Sequence, residues 1–542
     1  RPQALIVLGV LHDRAGRREQ GREALNEAIA SLDLQGNHRE LSRARFALAG
    51  SFWRDRKLVE TLAALDGALT SAQQANDLRI QGLAGIMRGD VLRSVGDARS
   101  AEREYEFAAS RLEGRMADLA FLDLKLGLLR QEEGLLHLSD LAFKRALARA
   151  EETGSQEAVH AARQNLAYNA HLAGNTEAGF AYLGDYHGPL DFSHHSVLAM
   201  LEADAGRLAD ALASMDRAIA VSRSDDMWWG AYERARILEQ LGDDPGAEQG
   251  YEQAIAMVER MRASMDHTEL QAWMIPRRRR PYEALLSLFV RQGRTEQALR
   301  VLEAFSARSF TDALIANGSL LAPPGEAQDV ASAWRLLEQA GSDFDDLGEA
   351  LAGREVIVPV EVMGRLLVAH KAANGELRFL DRGDAAEIRE VAQRFAANPD
   401  PPELADELGR LLIPEGIEAS SQTLHVVVSG WLAAVPFSAL RRNGSFLVEQ
   451  RPIAMMPSLR AFSIERRQGA SGRKLVLADV DGTLPSARAE ASEIAAVVGT
   501  KAVVAEAATS ELLESAEPSE LLHLGVHAGL DGGGAWLTLA DG

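Results

Sequence analysis

The sequence Leu521-Leu-His-Leu-Gly-Val-His527-Ala-Gly529 is a short apolar run that ends in a histidine and a small, glycine-containing loop. A leucine-rich run of this length, bounded by turn residues, predicts a buried β-strand. The strand would deliver His527 to its carboxyl end, which is the edge where open α/β sheets place ligands and catalytic groups. Because histidine changes protonation near neutral pH, this position predicts a functional site.

The segments before this strand alternate between strand and helix patterns. The stretches at 423–429 and 474–478 are apolar runs typical of fully buried strands, a helical pattern occupies 487–498, and a further strand is predicted at 501–504. Asn374-Gly375 lies between two strand-like stretches and predicts a tight hairpin. The alternation predicts an α/β domain with a mainly parallel sheet and helices on both faces.

The chain up to about residue 310 has helical periodicity almost throughout, and it contains a recurring turn. A glycine followed by a helix start recurs at intervals that are mostly 32 to 41 residues, with degenerate versions near Asp55 and Gly134. The recurring positions are Gly16, Gly96, Gly174, Gly206, Gly242 and Gly293. This pattern resembles the tetratricopeptide repeat, a helix-turn-helix unit whose stacking forms a solenoid with a concave surface suited to peptides or protein segments. The interval between Gly242 and Gly293 is longer than the others, which predicts longer helices near the end of the solenoid.

The two patterns predict three regions. Residues 1–312 form the tetratricopeptide-like α-solenoid, and Gly318-Ser-Leu-Leu-Ala-Pro-Pro-Gly325 interrupts the helices within a helical connector at 313–353. Residues 354–542 form the α/β domain. The predicted fold class is therefore an α-helical solenoid followed by an α/β domain with a mainly parallel sheet.

Composition narrows the classes of protein that this chain can belong to. The 542 residues are 46% hydrophobic and 25% charged, as in a globular protein, and no apolar run reaches the roughly 18 residues that a membrane-spanning helix requires. The formal charge of -21 argues against direct contact with nucleic acid, which is itself a polyanion. The chain has no cysteine, which excludes a disulfide framework and fits a reducing cytoplasm. No cofactor or metal is predicted.

Several ordered motifs resemble the CHAT domain, a caspase-like cysteine peptidase fold that follows tetratricopeptide repeats in bacteria. Leu424-His-Val-Val-Val-Ser-Gly-Trp-Leu-Ala-Ala-Val-Pro-Phe-Ser-Ala-Leu440 resembles the family's strand followed by a Pro-Phe-x-Ala-Leu segment. Met456-Pro-Ser-Leu459, Leu484-Pro-Ser-Ala-Arg-Ala-Glu-Ala-Ser-Glu493 and the Leu-His-x-x-x-His element at 522–527 follow in the family's order. The resemblance spans nearly the whole chain and implies a caspase-like fold for the α/β domain.

The resemblance also implies roles for two residues. His527 would be the general acid and base, and the backbone N–H of Ala528 would stabilise the oxyanion, where the family usually has glycine. The family's nucleophilic cysteine lies a few tens of residues beyond this histidine, whereas the sequence ends at Gly542, 15 residues after His527. The nucleophile is therefore expected outside this chain, which we interpret as truncated at its C-terminus, with an incomplete sheet.

We weigh three functions on this basis. The first is a bacterial, cytoplasmic cysteine endopeptidase whose solenoid senses a protein or peptide partner and gates cleavage of a target protein. The second is a scaffold without catalysis, in which both regions only bind proteins. The third is a phosphatase like the haloacid dehalogenases, because Asp479-Val-Asp481-Gly-Thr483 follows a buried strand as their nucleophile motif does. About sixty residues follow this motif, which is fewer than that fold needs, so we favour a polar turn here.

Three further features have structural as well as functional interpretations. Arg277-Arg-Arg-Arg280 could bind phosphates, but a solvated charge run is the favoured interpretation. Trp228-Trp229 could anchor a bound segment, but packing between repeats is favoured. His523 would share a face with His527 by strand alternation, roughly 13 Å away and too far for a shared zinc ion. We therefore expect a packed or hydrogen-bonded histidine at 523.

Overall fold

The structure is a computed structural model of the 542-residue chain. It describes residues 2–55, 57–184, 190–222, 227–263, 278–306, 351–398, 402–417, 420–462, 473–509, 512, 519–531, 534–537 and 539. The chain divides into two compact units, Arg1–Ile464 and Glu465–Gly542. The connector predicted at 313–353 lies outside the described residues up to position 350.

Sixteen α-helices lie in the described residues up to 306, numbered here in chain order. They are α1 (Pro2–Arg14), α2 (Arg18–Leu34), α3 (His38–Arg54), α4 (Leu58–Gln74), α5 (Leu78–Val95), α6 (Ala98–Arg111), α7 (Met116–Glu132), α8 (Leu136–Glu152), α9 (Gln156–Leu172), α10 (Thr176–Leu183), α11 (Phe192–Asp204), α12 (Leu208–Val221), α13 (Met227–Gln240), α14 (Asp244–Ala263), α15 (Arg280–Arg291) and α16 (Thr295–Ser306). At 20 residues α14 is the longest of these, as the wide step into Gly293 predicts.

The helices form eight consecutive hairpins, and the predicted glycine turns separate the two helices of six of them. All six glycines have φ between 69° and 96°, the left-handed region that closes a helix and that glycine adopts without strain. Asp55 and Gly134 separate the helices of the two remaining hairpins, where the sequence pattern is degenerate. The predicted repeat is therefore confirmed as a series of helix-turn-helix units.

Within a hairpin, glycine on one helix makes room for an aromatic ring on the next. A Cβ atom added at Gly89 of α5 would lie 2.3 Å from the Tyr105 ring, and one added at Gly127 of α7 would lie 2.3 Å from the Phe143 ring. Both rings are fully buried. The glycines let the two helices approach closely, and the rings fill the space between them. This packing contributes to the buried apolar core of the solenoid, which a single repeat could not form alone.

The remaining elements belong to the sheets and their covering helices. The strands are β1 (Glu355–Val362), β2 (Arg365–Lys371), β3 (Leu377–Asp384), β4 (Leu424–Val427), β5 (Arg441–Arg442), β6 (Ser445–Phe446), β7 (Ile453–Met456), β8 (Arg473–Ala478), β9 (Ala502–Val504), β10 (Ser519–Gly525), β11 (Ala528–Asp531) and β12 (Gly534–Leu537). The helices are α17 (Ala385–Ala397), α18 (Pro402–Leu412), α19 (Leu447–Gln450) and α20 (Pro485–Val498).

A five-stranded sheet in the first unit has the order β3-β2-β1-β4-β7. Strands β1, β4 and β7 are parallel, whereas β1, β2 and β3 form an antiparallel meander. The turn between β1 and β2 is Met363-Gly364, with φ of 48° and 78°, as a two-residue hairpin of type I′ requires. The hairpin predicted around Asn374-Gly375 is confirmed by the pairing of Lys371 with Leu377.

This sheet is a middle layer in the first unit. Alternate residues of β1, among them Val356, Val358 and Val360, pack with helices α13 to α16 in one apolar core. Ile357 points to the other face, where it packs with residues of α17 and α18 such as Phe395. Because both faces are covered, β1 is apolar in consecutive positions instead of alternating with polar residues. The last helices of the solenoid therefore form one of the layers that cover the sheet.

The second unit contains a three-stranded parallel sheet in the order β10-β8-β9. Helix α20 packs on one face, where Val476 and Ala478 meet Ala491 and Ala495. On the other face Leu475 and Leu477 belong to a second apolar cluster. This unit confirms the strand, helix and strand order predicted for this part of the chain. In the described part of the whole chain, no helix combines the length and apolarity that crossing a membrane requires.

Candidate functional site

His527 lies just past the carboxyl end of β10, as the sequence predicts. Strand β10 is parallel to β8, and a hairpin of β11 and β12 follows the histidine at once. Ala528 is the first residue of β11 and is paired with Leu537. A residue in an extended strand needs no positive φ, so alanine causes no left-handed strain at this position, where the resemblance implies glycine.

The imidazole of His527 meets the loop that follows the neighbouring strand β8. Its Nε2 atom lies 2.6 Å from the Thr483 Oγ1 atom and 3.9 Å from the Asp481 Oδ2 atom. The His527 side chain is 44% exposed, so one side of the ring contacts this loop while part of it remains open to solvent. The carboxyl ends of two adjacent parallel strands thus supply all three side chains.

Asp479 holds this loop in place and is not exposed at its surface. Its carboxylate accepts a hydrogen bond from the backbone N–H of Leu484 at 2.7 Å and forms an ion pair with Arg488, whose Nε atom lies 2.7 Å from Oδ2. Its backbone N–H donates to the Gly525 carbonyl of β10 at 3.0 Å, and its φ of 49° turns the chain sharply. With 2% exposure, this carboxylate is committed to structure, which argues against its role as a phosphoryl nucleophile.

Asp481 and Thr483 form a compact turn beside the histidine. The Asp481 Oδ1 atom accepts hydrogen bonds from the Thr483 hydroxyl at 2.7 Å and from the Thr483 backbone N–H at 3.1 Å. The hydroxyl hydrogen bond, helped by the backbone N–H, holds the pKa of the Asp481 carboxyl below its usual value. From the sequence, these residues were expected to form a polar turn or, less favoured, part of a phosphatase motif, and neither interpretation linked them to His527. Their position after a strand next to β10 is the signal that could have done so.

His523 has a different environment from His527. It lies within β10, opposite the buried Val476 of β8, and its Nε2 atom is buried without a hydrogen-bond partner among the described residues. This placement agrees with a packed histidine. His527 lies beyond the last residue of β10, so strand alternation does not assign both side chains to one face. Nowhere in the described ranges do three or more histidine, cysteine or acidic side chains cluster as metal ligands would.

The arginine run joins the last repeat to the sheet. Arg279 donates to the Glu361 carbonyl of β1 at 2.5 Å and pairs with Glu283 of α15 at 2.5 Å. The solvated charge run favoured in the sequence analysis is therefore wrong for Arg279, while Arg277 lies outside the described residues. Trp228 and Trp229 are partly buried against the core of the last repeats, which agrees with packing.

Comparisons with known proteins bear on both halves of the chain. The family model of the CHAT domain matches residues 402–540. One similar solved structure is a tetratricopeptide repeat protein from Parabacteroides merdae, with 16% identity and a TM-score of 0.35, covering 50% of this chain and 97% of that chain. Another is the Rap conjugation gene regulator of the plasmid pLS20 in complex with a Phr peptide, with 15% identity and a TM-score of 0.34, covering 60% and 96%. No curated protein matches the chain. The chain combines tetratricopeptide-like helical repeats in its N-terminal part with a CHAT domain at residues 402–540.

Proposed function

We propose that this chain is part of a caspase-like cysteine endopeptidase in which His527 is the general acid and base. The observation that carries the proposal is the position of His527 at the carboxyl end of a parallel strand, half exposed, within the region that matches the CHAT domain. Open parallel sheets assemble their catalytic groups at this edge.

The chemistry requires a cysteine from outside residues 1–542, since this chain has none. His527 would accept the thiol proton, and the thiolate sulfur would attack the carbonyl carbon of the scissile peptide bond. The protonated imidazole would then give its proton to the leaving amine as the C–N bond breaks, leaving a thioester. Water activated by the same imidazole would hydrolyse that thioester. The backbone N–H of Ala528 would stabilise the oxyanion formed in both attacks.

We further propose that the solenoid, at residues 1–312, binds a protein or peptide partner and gates the peptidase domain, with a helical connector at 313–353 between the two. The packing of the last repeats against β1 supports this part of the proposal. Glu303 of α16 also accepts hydrogen bonds from the Ser458 hydroxyl at 2.5 Å and from the Leu459 backbone N–H at 3.2 Å, just after β7. Movement of the last repeat would therefore strain the sheet, which a bound partner could exploit.

The CHAT-type region is proposed to extend over 354–542, wider than the family match, because β1 to β3 form one sheet with β4 and β7. We place the protein in the bacterial cytoplasm, where a free catalytic thiol persists. Its substrate would be a protein.

The test uses the full-length protein encoded by the gene. A peptidyl acyloxymethyl ketone should alkylate one cysteine thiolate with loss of its acyloxy group as a carboxylate, and the intact mass should rise by one peptidyl methyl ketone group. His527→Ala should abolish this labelling and the cleavage of a peptide library. His137→Ala, at an exposed position of α8, is the matched control and should leave both unchanged. A full-length protein without a reactive cysteine would overturn the proposal and leave the non-catalytic scaffold as the function.

A further inference from the structure

We propose that Asp481, acting through the hydroxyl of Thr483, positions His527 and fixes its tautomer, so that Nε2 carries the proton and Nδ1 is the basic atom. This inference deepens the proposed function and rests on it for its catalytic consequence. The position and tautomer of His527 depend only on residues of the second compact unit and do not require peptidase activity. Asp481 and Thr483 are positioning residues in this scheme, because they act on the reaction through the histidine.

The Thr483 hydroxyl has two close polar neighbours but a single proton. A hydroxyl has one proton to donate and can accept through its lone pairs. The Asp481 Oδ1 atom lies 2.7 Å from this oxygen, and an ionised carboxylate can only accept. The hydroxyl proton is therefore committed to Asp481. The second close neighbour of the hydroxyl, the His527 Nε2 atom at 2.6 Å, must then be the donor.

The ionised state of Asp481 is well supported. Its side chain is 40% exposed, and two hydrogen bonds from Thr483 favour the charged form, which keeps the carboxyl pKa below its usual value. A protonated Asp481, which would reverse the direction of the hydrogen bonds, is therefore disfavoured near neutral pH.

Donation of the hydrogen bond from His527 Nε2 to the Thr483 hydroxyl has two chemical consequences. In the neutral ring the lone pair is on Nδ1, which is the atom that must face a thiol to accept its proton. In the imidazolium formed by that transfer, the Nε2 proton is still donated to the Thr483 hydroxyl. The negative charge of the Asp481 carboxylate, 3.9 Å from Nε2, stabilises the new positive charge. The turn therefore keeps one orientation of the ring through both protonation states.

The same proton count excludes another use of this site. Thr483 itself could be imagined as a nucleophile with His527 as its base. That role requires the hydroxyl to donate to the imidazole, whereas here the hydroxyl donates to Asp481 and accepts from Nε2. The geometry assigns Thr483 to positioning.

The first experiment reads the tautomer directly in the 542-residue chain. The protein is labelled with 15N-histidine, the His527 signals are assigned with His527→Gln, and the two ring nitrogens are followed by proton–nitrogen correlation spectra. The native chain and Thr483→Ser should show only the Nε2-protonated neutral ring. Thr483→Val, which keeps the shape but has no acceptor, should show a mixture of both tautomers. Ser492→Ala on α20 is the matched control, since that hydroxyl donates to the Arg488 carbonyl of its own helix.

The second experiment measures cleavage by the full-length protein. Thr483→Val and Asp481→Asn should lower kcat by about 10- to 100-fold, the usual cost of removing a partner that orients a functional histidine, with KM nearly unchanged. Thr483→Ser should restore most of the rate. A native ring protonated on Nδ1, or a Thr483→Val chain with an unchanged tautomer, overturns this inference. If the tautomer result holds but no variant or native protein cleaves, the proposed peptidase function fails and the positioning of His527 stands.

Discussion

Replacing Arg451 with methionine should destabilise the five-stranded sheet far more than removing a surface arginine. The Arg451 side chain is fully buried and donates to Glu355 Oε2 of β1 at 2.7 Å. It also donates to the carbonyl oxygens of Ile417 at 2.6 Å and Gln422 at 2.8 Å. One guanidinium therefore satisfies a buried carboxylate and two backbone carbonyls at the start of the central strands.

The magnitude follows from the charge that the substitution would leave behind. His370 is the other neighbour of Glu355, with its Nε2 atom 3.3 Å from Oε1, but burial lowers the pKa of this histidine and keeps it neutral near pH 7. Arg451 is then the cation that balances Glu355. Removing one partner of a buried ion pair costs about 3–5 kcal/mol, because the remaining charge stays in a poorly solvated site.

Arg365→Met is the matched control on the neighbouring strand. Arg365 pairs with Asp381 at 2.8 Å, but the two side chains are 57% and 47% exposed. Solvent screens an exposed pair of this kind, so the same substitution should have little effect here. The assay is hydrogen exchange of the backbone amides of β1 and β4, which reports the free energy of opening this sheet.

The same hydrogen-exchange assay also tests whether the unpaired charge of Glu355 causes the loss of stability. Combining Arg451→Met with Glu355→Gln should recover part of the lost stability, because the unpaired charge is removed with its partner. The reasoning is refuted if Arg451→Met costs as little as Arg365→Met, or if the double variant is no more stable than the single one.

Two further predictions concern the solenoid. Gly127→Ala should destabilise α7 and α8 by about 1–3 kcal/mol, since its Cβ would lie 2.3 Å from the Phe143 ring. Gly50→Ala has its nearest atoms at 3.6 Å and should instead stabilise α3 by roughly 0.5–1 kcal/mol. The two variants should shift the thermal unfolding temperature in opposite directions, and equal shifts would contradict the packing difference. His160 and His194 stack at 5.3 Å, and burial lowers the pKa of each below 6.5. Because folding favours their neutral forms, the free energy of unfolding of these repeats should be highest above about pH 6.5 and should fall as the pH drops below that value. Hydrogen exchange of α9 and α11 that is unchanged between about pH 7.5 and 5.5 would contradict this prediction.

The sequence alone was sufficient for the order of the main helices and strands up to His527, because local physics determines them, but it predicted a loop where the structure has the β11–β12 hairpin. A glycine such as Gly96 or Gly174 ends a helix wherever the chain must adopt positive φ, and the spacing of these glycines reveals the repeat. The mainly apolar runs at 423–429 and 474–478 predicted strands, because an apolar run of this kind is typical of a strand that is buried on both faces. The position of His527 after a strand followed from the same local pattern.

Contacts between distant segments were decided only by tertiary structure. Thr483 and His527 are 44 positions apart, and their meeting depends on β8 and β10 being adjacent and parallel, which no local pattern specifies. The burial of one face of β1 by the last repeats likewise depends on how separately formed layers pack, as does the contact of Arg279 with the Glu361 carbonyl. Periodicity identifies which side of an element is buried, but the partner is selected by shape, charge and hydrogen bonding once the chain has folded.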